Sequence, residues 1–301
     1  MSDEGDREAP RRDKASLIDV TVPNAARAAN FLRGGTNNFA ADRKAIRTAA
    51  ASAPAIERIP AEARAFRQRV ISYLVGEAGI GQFLDIGTGL VPPAITHELV
   101  LALDPESRIV YTDSDPMVLS HGQALIKSAR PGSVSCVGGN IADVDAIVAS
   151  ALPTLDLTQP VAVLLLSTLA HVPTRIAAAR AVSSLMAAVP SGSYAVIYHL
   201  ANDLDPAMQS AARHWNKTVP TPITLRSRAD MISLVSGLEV IPPGVVPVNE
   251  WRPDLGPPVD PGARADLGPP AAAAPGPVER RSARLAAAQP VPVHGVVARK
   301  P

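Results

Sequence analysis

Up to about residue 80 the apolar positions recur at helical spacing, and beyond it they gather into short runs that alternate with amphipathic stretches. The first regime predicts helices from Pro23-Asn24 to Arg33 and from Ala40 to Ala51, separated by the tight loop Gly34-Gly35-Thr36-Asn37-Asn38. A longer helix is expected from Pro60 to Glu77, where Ala63, Phe66, Val70, Tyr73 and Leu74 form one buried stripe. After Gly79 the runs are bounded by Gly, Pro and Asp, as in a parallel sheet with crossover helices. Strands are placed at Gln82–Ile86, Arg108–Thr112, Ser133–Val137, Ala162–Ser167 and Tyr194–His199. Helices fill the gaps, roughly Ile95–Leu103, Pro116–Ala129, Val144–Ala151, Thr174–Val189 and Pro206–Lys217, with Ser227–Ser236 after them. Leu238–Ile241 and Val245–Glu250 are expected to close the sheet as a strand pair.

Composition changes this picture at the two ends. Residues 1–16 carry few large apolar side chains and are expected to be disordered. Beyond Trp251-Arg252-Pro253 the chain turns to Pro, Ala and Gly, and Asp254-Leu-Gly-Pro-Pro258 recurs as Asp266-Leu-Gly-Pro-Pro270. Prolines remove backbone donors and favour extended chain, so residues 254–301 read as a largely unfolded tail with a short helix near Val278–Ala288. The expected organisation is therefore a disordered N-terminus (1–16), a helical cap (17–80), an α/β Rossmann-like domain (81–253) and a low-complexity tail (254–301).

Charge and cysteine content exclude several classes. A net charge of +1 gives no concentrated basic surface, so no nucleic-acid partner is expected. The single cysteine, Cys136, can form no internal disulfide, which fits a reducing cytoplasm. Arg11-Arg12 is not followed by an apolar region of signal length, and the run Val161–Leu166 is far below the ~20 residues that span a bilayer, so neither export nor a membrane partner is expected. The six histidines show no metal-ligand spacing, and no metal is expected.

The densest chemistry lies in Phe83-Leu84-Asp85-Ile86-Gly87-Thr88-Gly89-Leu90, a strand running into a glycine turn that lets backbone approach a ligand. A dinucleotide site needs G-x-G-x-x-G, but Val91 and Pro92 follow Leu90 and the third glycine is missing. A carboxylate at Asp85 would also repel a pyrophosphate. S-adenosylmethionine (SAM) removes that conflict, because its ammonium and sulfonium are cationic. Asp113, at the end of the second strand and about 24 residues after Gly89, stands near the ~20-residue offset of a ribose-binding acid. Asp115-Pro116 reads instead as a helix cap. At the third strand end Asn140 or Asp143 has an oxygen able to accept from the adenine amino group, with Asp143 better read as a cap. His171, after the fourth strand, is the available general base, ahead of Tyr198 and His199. The cofactor-binding set is thus Asp85, Gly87, Thr88, Gly89, Asp113, Ser114 and Asn140, and the catalytic candidate is His171.

Pro23-Asn24-Ala25-Ala26-Arg27, Gly34-Gly35 leading to Asn38-Phe39-Ala40-Ala41-Asp42-Arg43, Phe83–Leu90, Tyr111–Pro116 and Trp251-Arg252-Pro253 together resemble the S-adenosyl methyltransferase family of bacterial class I enzymes. The resemblance covers roughly Pro23 to Pro253. It implies a seven-stranded Rossmann-like sheet, SAM at the carboxyl ends of the first two strands, and an N-terminal helical segment closing over the site. Three departures from the family pattern, Thr36-Asn37, Asn140 and a segment around His171 that is one residue short, are expected to touch that site. The expected function is methyl transfer from SAM to an unidentified, small-molecule acceptor. A catalytically silent SAM-binding regulator or scaffold is the alternative, and an NAD-linked oxidoreductase is disfavoured by Asp85 and the missing glycine.

Overall fold

The computed structural model describes residues 19–90, 96–126, 130–255 and 290–301. The expected disorder of 1–16 and the helix near 278–288 lie outside them. Strands β1 (Gln82–Ile86), β2 (Arg108–Asp113), β3 (Val134–Gly138), β4 (Ala162–Leu166) and β5 (Tyr194–Leu200) fall within a residue of the positions read from the pattern. They pair in parallel in the order β3-β2-β1-β4-β5, so the strand order reverses between β1 and β4. A sheet of this topology opens a crevice at the carboxyl ends of the strands flanking that reversal.

The strands are apolar on both faces because helices cover both. Phe83, Leu164, Val196 and Tyr198 pack on one side with Phe66, Val70 and Leu74 of helix α3 (Ile59–Gly76), and with Trp251. Leu84, Val163, Leu165 and Ile197 pack on the other with α6 (Val144–Ala151), α7 (Arg175–Ala188) and α9 (Arg228–Leu234). Helices α4 (Thr96–Leu103) and α5 (Pro116–Leu125) complete the crossovers. Because α3 shares its core with the sheet, the boundary expected at residue 80 runs through one apolar core. Helices α1 (Ala25–Leu32), α2 (Ala40–Ser52) and α8 (Ala207–Thr218) stand apart from those two cores and pack on one another through Phe31, Ile46, Ala49, Met208 and Trp215.

The largest correction concerns the C-terminus. Residues expected to continue the unfolded tail form β8 (Val293–Arg299), buried along almost its whole length and antiparallel to β5 from Tyr194↔Arg299 to Leu200↔Val293. Its other edge receives β6 (Glu239–Val240) and β7 (Val246–Pro247), which pair with β8 at successive registers and not with each other. The eight described strands therefore occupy seven positions, the number the family resemblance implied. Val291, Val293, Val296, Val297 and Ala298 are fully buried. Gly295 lets β8 pass α3, since a Cβ there would stand 2.8 Å from the Phe66 ring. The chain end is clamped as well: the Lys300 ammonium donates to the carbonyls of Met186 (2.8 Å) and Val189 (2.7 Å).

Candidate functional site

The glycine turn after β1 is built by its neighbours. Gly87 (φ 69°) and Gly89 (φ 63°) both adopt the left-handed conformation that glycine takes without steric cost. The Gly87 amide donates to the Thr112 carbonyl at 2.7 Å, tying the turn to β2, and the Thr168 hydroxyl donates to the Ile86 carbonyl. A Cβ on Gly87 would lie 2.4 Å from that hydroxyl. The Gly89 amide donates to Oδ2 of Asp113 at 2.9 Å, while Oδ1 of Asp113 accepts from the Asp115 amide at 2.9 Å. Burial pushes the Asp113 carboxyl above its ordinary range, against the pull of those backbone donors.

The family-like segments at the N-terminus close over this turn. Asn24 caps α1 and donates through Nδ2 to Asp115 (3.1 Å). Asp42, fully buried, accepts from the Asn24 amide (2.8 Å), the Phe39 amide (2.8 Å) and Nε of Arg27 (2.9 Å), pinning the starts of α1 and α2 together. Asn30 lies beneath Gly35, where a Cβ would come within 2.3 Å of it, and donates weakly to the Leu90 carbonyl (3.4 Å). Asn24, Asp42 and Asn30 thus carry the motif's function: they fasten the cap to the glycine turn.

Between cap and sheet lies a cavity of about 390 Å³. Gly87, Thr88, Gly89, Asp113 and Ser114 line it, together with His171, Tyr198, Met208 and Trp215. These five cofactor candidates are therefore brought together with the catalytic candidate. Asp85 and Asn140 are not among the lining residues. Asp85 is buried, accepts from the Thr96 hydroxyl at 2.9 Å, and is pushed up in pKa chiefly by burial, with Arg67 in electrostatic reach opposing the shift. Asn140 is exposed and accepts from the Ala142 amide in a local turn (3.0 Å). Thr36 and Asn37 are exposed too, so neither the 36–37 nor the Asn140 departure alters the cavity wall. Asp115 and Asp143 cap α5 and α6 as expected.

Two histidines divide sharply. His171 is exposed at the cavity, and its Nδ1 meets the Pro222 carbonyl at 3.2 Å. A carbonyl only accepts, so in the neutral imidazole Nδ1 carries the hydrogen and Nε2 the lone pair. His199 is fully buried, donates through Nδ1 to the Leu200 carbonyl (2.9 Å) and accepts at Nε2 from Arg226. Arg226, buried, also donates to the carbonyls of Leu169 (2.7 Å) and Val172 (2.7 Å), and so holds the segment that carries His171. Burial, followed by the Arg226 charge, lowers the His199 pKa to about 4. A histidine depressed in the folded state contributes stability that is full above its unfolded pKa near 6.5 and is lost as pH falls toward 4. Urea unfolding at pH 7 and pH 5 is expected to show a loss of about 2 kcal/mol from this group, and His199→Gln should remove most of that slope. His97, also lowered by burial, contributes in the same direction and stays in the variant as a reference.

The sequence pattern missed several lining residues: Ser167, Arg33, Arg64 and Arg67. Ser167 has φ 76°, a left-handed strain for a non-glycine residue at the end of β4. No local signal marks it. Arg64 and Arg67 are three residues apart on α3 and flank the expected stripe position Phe66, so helical spacing would have placed them on one face.

Among the described residues no group of three His, Cys, Asp or Glu side chains is placed to hold a metal, and no helix is long and apolar enough to cross a membrane. The residues present fit SAM: the Asp113 carboxylate lines the cavity with acceptor capacity beyond the two backbone amides it holds, and Gly87 and Gly89 line it without a Cβ.

Two solved structures are similar over nearly the whole chain. One is a DUF574 family protein from Streptomyces avermitilis, 30% identical with a TM-score of 0.78, covering 94% of this chain and 99% of its own. The other is a candidate methyltransferase from Thermobifida fusca, 30% identical with a TM-score of 0.76, covering 94% and 96%. No curated protein matches. The family described as S-adenosyl methyltransferase matches residues 11–282, and with that span and this fold the chain belongs to the S-adenosyl methyltransferase family, a SAM-dependent methyltransferase.

Proposed function

We propose that the enzyme methylates a small-molecule acceptor bound in the cavity between the α1–α2 cap, α8 and the carboxyl ends of β1, β2 and β4. The carrying observation is that one cavity is lined by the glycine turn, Asp113 and His171 together. Gly87, Thr88, Gly89, Asp113 and Ser114 would hold the cofactor, which when bound supplies an electrophilic methyl group. Most of the catalytic work then falls to positioning, because a cleft that holds the acceptor atom in line with the methyl group makes the step effectively unimolecular. Nε2 of His171, with its lone pair free, takes the proton from a hydroxyl or ammonium acceptor as it becomes nucleophilic. The single cysteine is compatible with work in the cytoplasm.

The test uses methyl-labelled SAM and a low-molecular-mass cell extract. Label is expected in the small-molecule fraction. With the purified product's precursor, His171→Ala should lower kcat about 10²–10⁴-fold while the KM for SAM stays within about threefold. Label appearing only on protein or nucleic acid would overturn the acceptor class, and an unchanged kcat would remove His171 from the mechanism.

A further inference from the structure

The buried arginines Arg27, Arg69 and Arg226 have evident partners. Arg27 pairs with Asp42, Arg69 donates to the Trp251 and Val248 carbonyls, and Arg226 to those of Leu169 and Val172. Arg33, Arg64 and Arg67 differ. All three line the cavity, and among the described residues none has a carboxylate within ion-pair distance. Arg67 is 9% exposed and its Nε is buried with no hydrogen-bond partner. Arg33 uses Nε on the Ala29 carbonyl (3.1 Å), and one of its terminal nitrogens lies 3.4 Å from where a Cβ on Gly89 would be. Leaving a guanidinium donor buried and unmade is costly, and three like charges around one space repel.

The acidic groups nearby are engaged elsewhere. Asp113 accepts from Gly89 and Asp115, Asp115 from Asn24 and Met117, and Asp85 from Thr96. Asp85 is in electrostatic reach of Arg67 but beyond ion-pair distance. Burial, with repulsion from Arg67 and Arg64, pulls the Arg33 pKa down. An anion entering the cavity would pair with the Arg67 guanidinium, which has no partner among the described residues, and would relieve the repulsion at once.

We propose that Arg33, Arg64 and Arg67 form a subsite for an anionic group, a carboxylate or a phosphate, carried by the methyl acceptor. This rests on the methyltransferase reading above, and deepens it by naming the chemical class of the substrate. The cofactor brings a carboxylate of its own, and Arg33, beside Gly89, is placed for it. One carboxylate balances one of three guanidiniums. Arg64 and Arg67, on the face of α3 turned to the cavity, are left for the acceptor.

Inorganic phosphate and succinate are titrated calorimetrically into the full-length protein, free and saturated with S-adenosylhomocysteine (SAH). Either anion is expected to bind the SAH-loaded protein, and Arg64→Ala to weaken it about tenfold or more while SAH affinity changes less than about threefold. Arg64→Lys, which keeps the charge and loses the planar fork, should fall between. Arg64 is exposed, so its removal leaves the core intact, and the melting temperature checks that. Loss of anion binding once SAH is present would mean that the cluster serves the cofactor's carboxylate, and would overturn the proposal. So would failure of both anions to bind, or an Arg64→Ala variant that binds them unchanged. If SAH itself does not bind, the methyltransferase reading fails, yet an anion titration sensitive to Arg64→Ala still upholds the subsite.

Discussion

A chain ending before residue 290 is expected not to fold. The removed segment is an interior strand: β8 lies between β5 on one side and β6 and β7 on the other. Its loss leaves the β5 edge unpaired over Tyr194–Leu200 and strips β6 and β7 of their only strand partner among the described residues. Four fully buried valines, Val291, Val293, Val296 and Val297, go with it. Burial of each is worth about 1.5–3 kcal/mol, so together they approach the ~5–15 kcal/mol net stability of a typical domain. The truncated chain should show no cooperative thermal transition by circular dichroism and should expose surface that binds a hydrophobic dye. A deletion confined to 260–285 spares β8, Trp251 and every hydrogen bond described for the chain end, and is the matched control. A truncated protein that melts cooperatively within a few degrees of the full chain would show that β8 is not an integral strand.

That strand also shows what averaging hides. From Pro253 onward Pro, Ala and Gly dominate the composition, and it reads as tail down to the last residue. Yet Val291-Pro-Val293-His294-Gly295-Val296-Val297 is short, β-branched and proline-bounded, the same signal that located β1 to β5. A strand added from far along the chain has no sequence neighbour to announce it. The parallel strands were legible because most are followed by a glycine or Asp break before the next helix, and a parallel sheet buried on both faces leaves continuous apolar runs such as Ala162–Leu166. β6 and β7 were legible as strands but not in their pairing, since their partner had been assigned to the tail.

The site divided along the same line. Gly87, Gly89 and Asp113 were legible because backbone geometry demands those residue types at that spacing, and the structure joins Gly89 to Asp113 directly. The place of His171 at the cavity followed from its position after β4. Asp85 sits at the strand end as expected, but Thr96 takes its carboxylate, a contact set by how α4 packs and not by any local pattern. The three arginines were invisible for the complementary reason. Arginine is abundant in this chain, and only the fold shows that Arg27, Arg69 and Arg226 are satisfied while Arg67 is not.

Replacing Asp113 by alanine is expected to weaken SAM binding about 10²–10³-fold, the largest effect on cofactor affinity of any single change at the site. The carboxylate has two tasks. Each oxygen spends one lone pair on a backbone amide, Oδ2 on Gly89 and Oδ1 on Asp115, and this fixes the glycine turn against the start of α5. A carboxylate offers about four acceptor sites, so two remain for ribose hydroxyls. Hydrogen bonds to a charged group are worth about 1.5–3 kcal/mol each, and two of them lost correspond to roughly 3–5 kcal/mol, hence the expected change in Kd. Asp113→Asn separates the tasks. Its amide oxygen can still accept from Gly89 and hold the turn, but its NH₂ faces the Asp115 amide donor and one ribose acceptor is gone, so an intermediate loss of about tenfold is expected. Both variants are read by calorimetric titration with SAM, with NAD as the negative control and thermal melts to confirm folding. A variant that melts like the parent and binds SAM within about threefold of it would remove Asp113 from the cofactor site, because no lost pair of charge-assisted hydrogen bonds is that cheap.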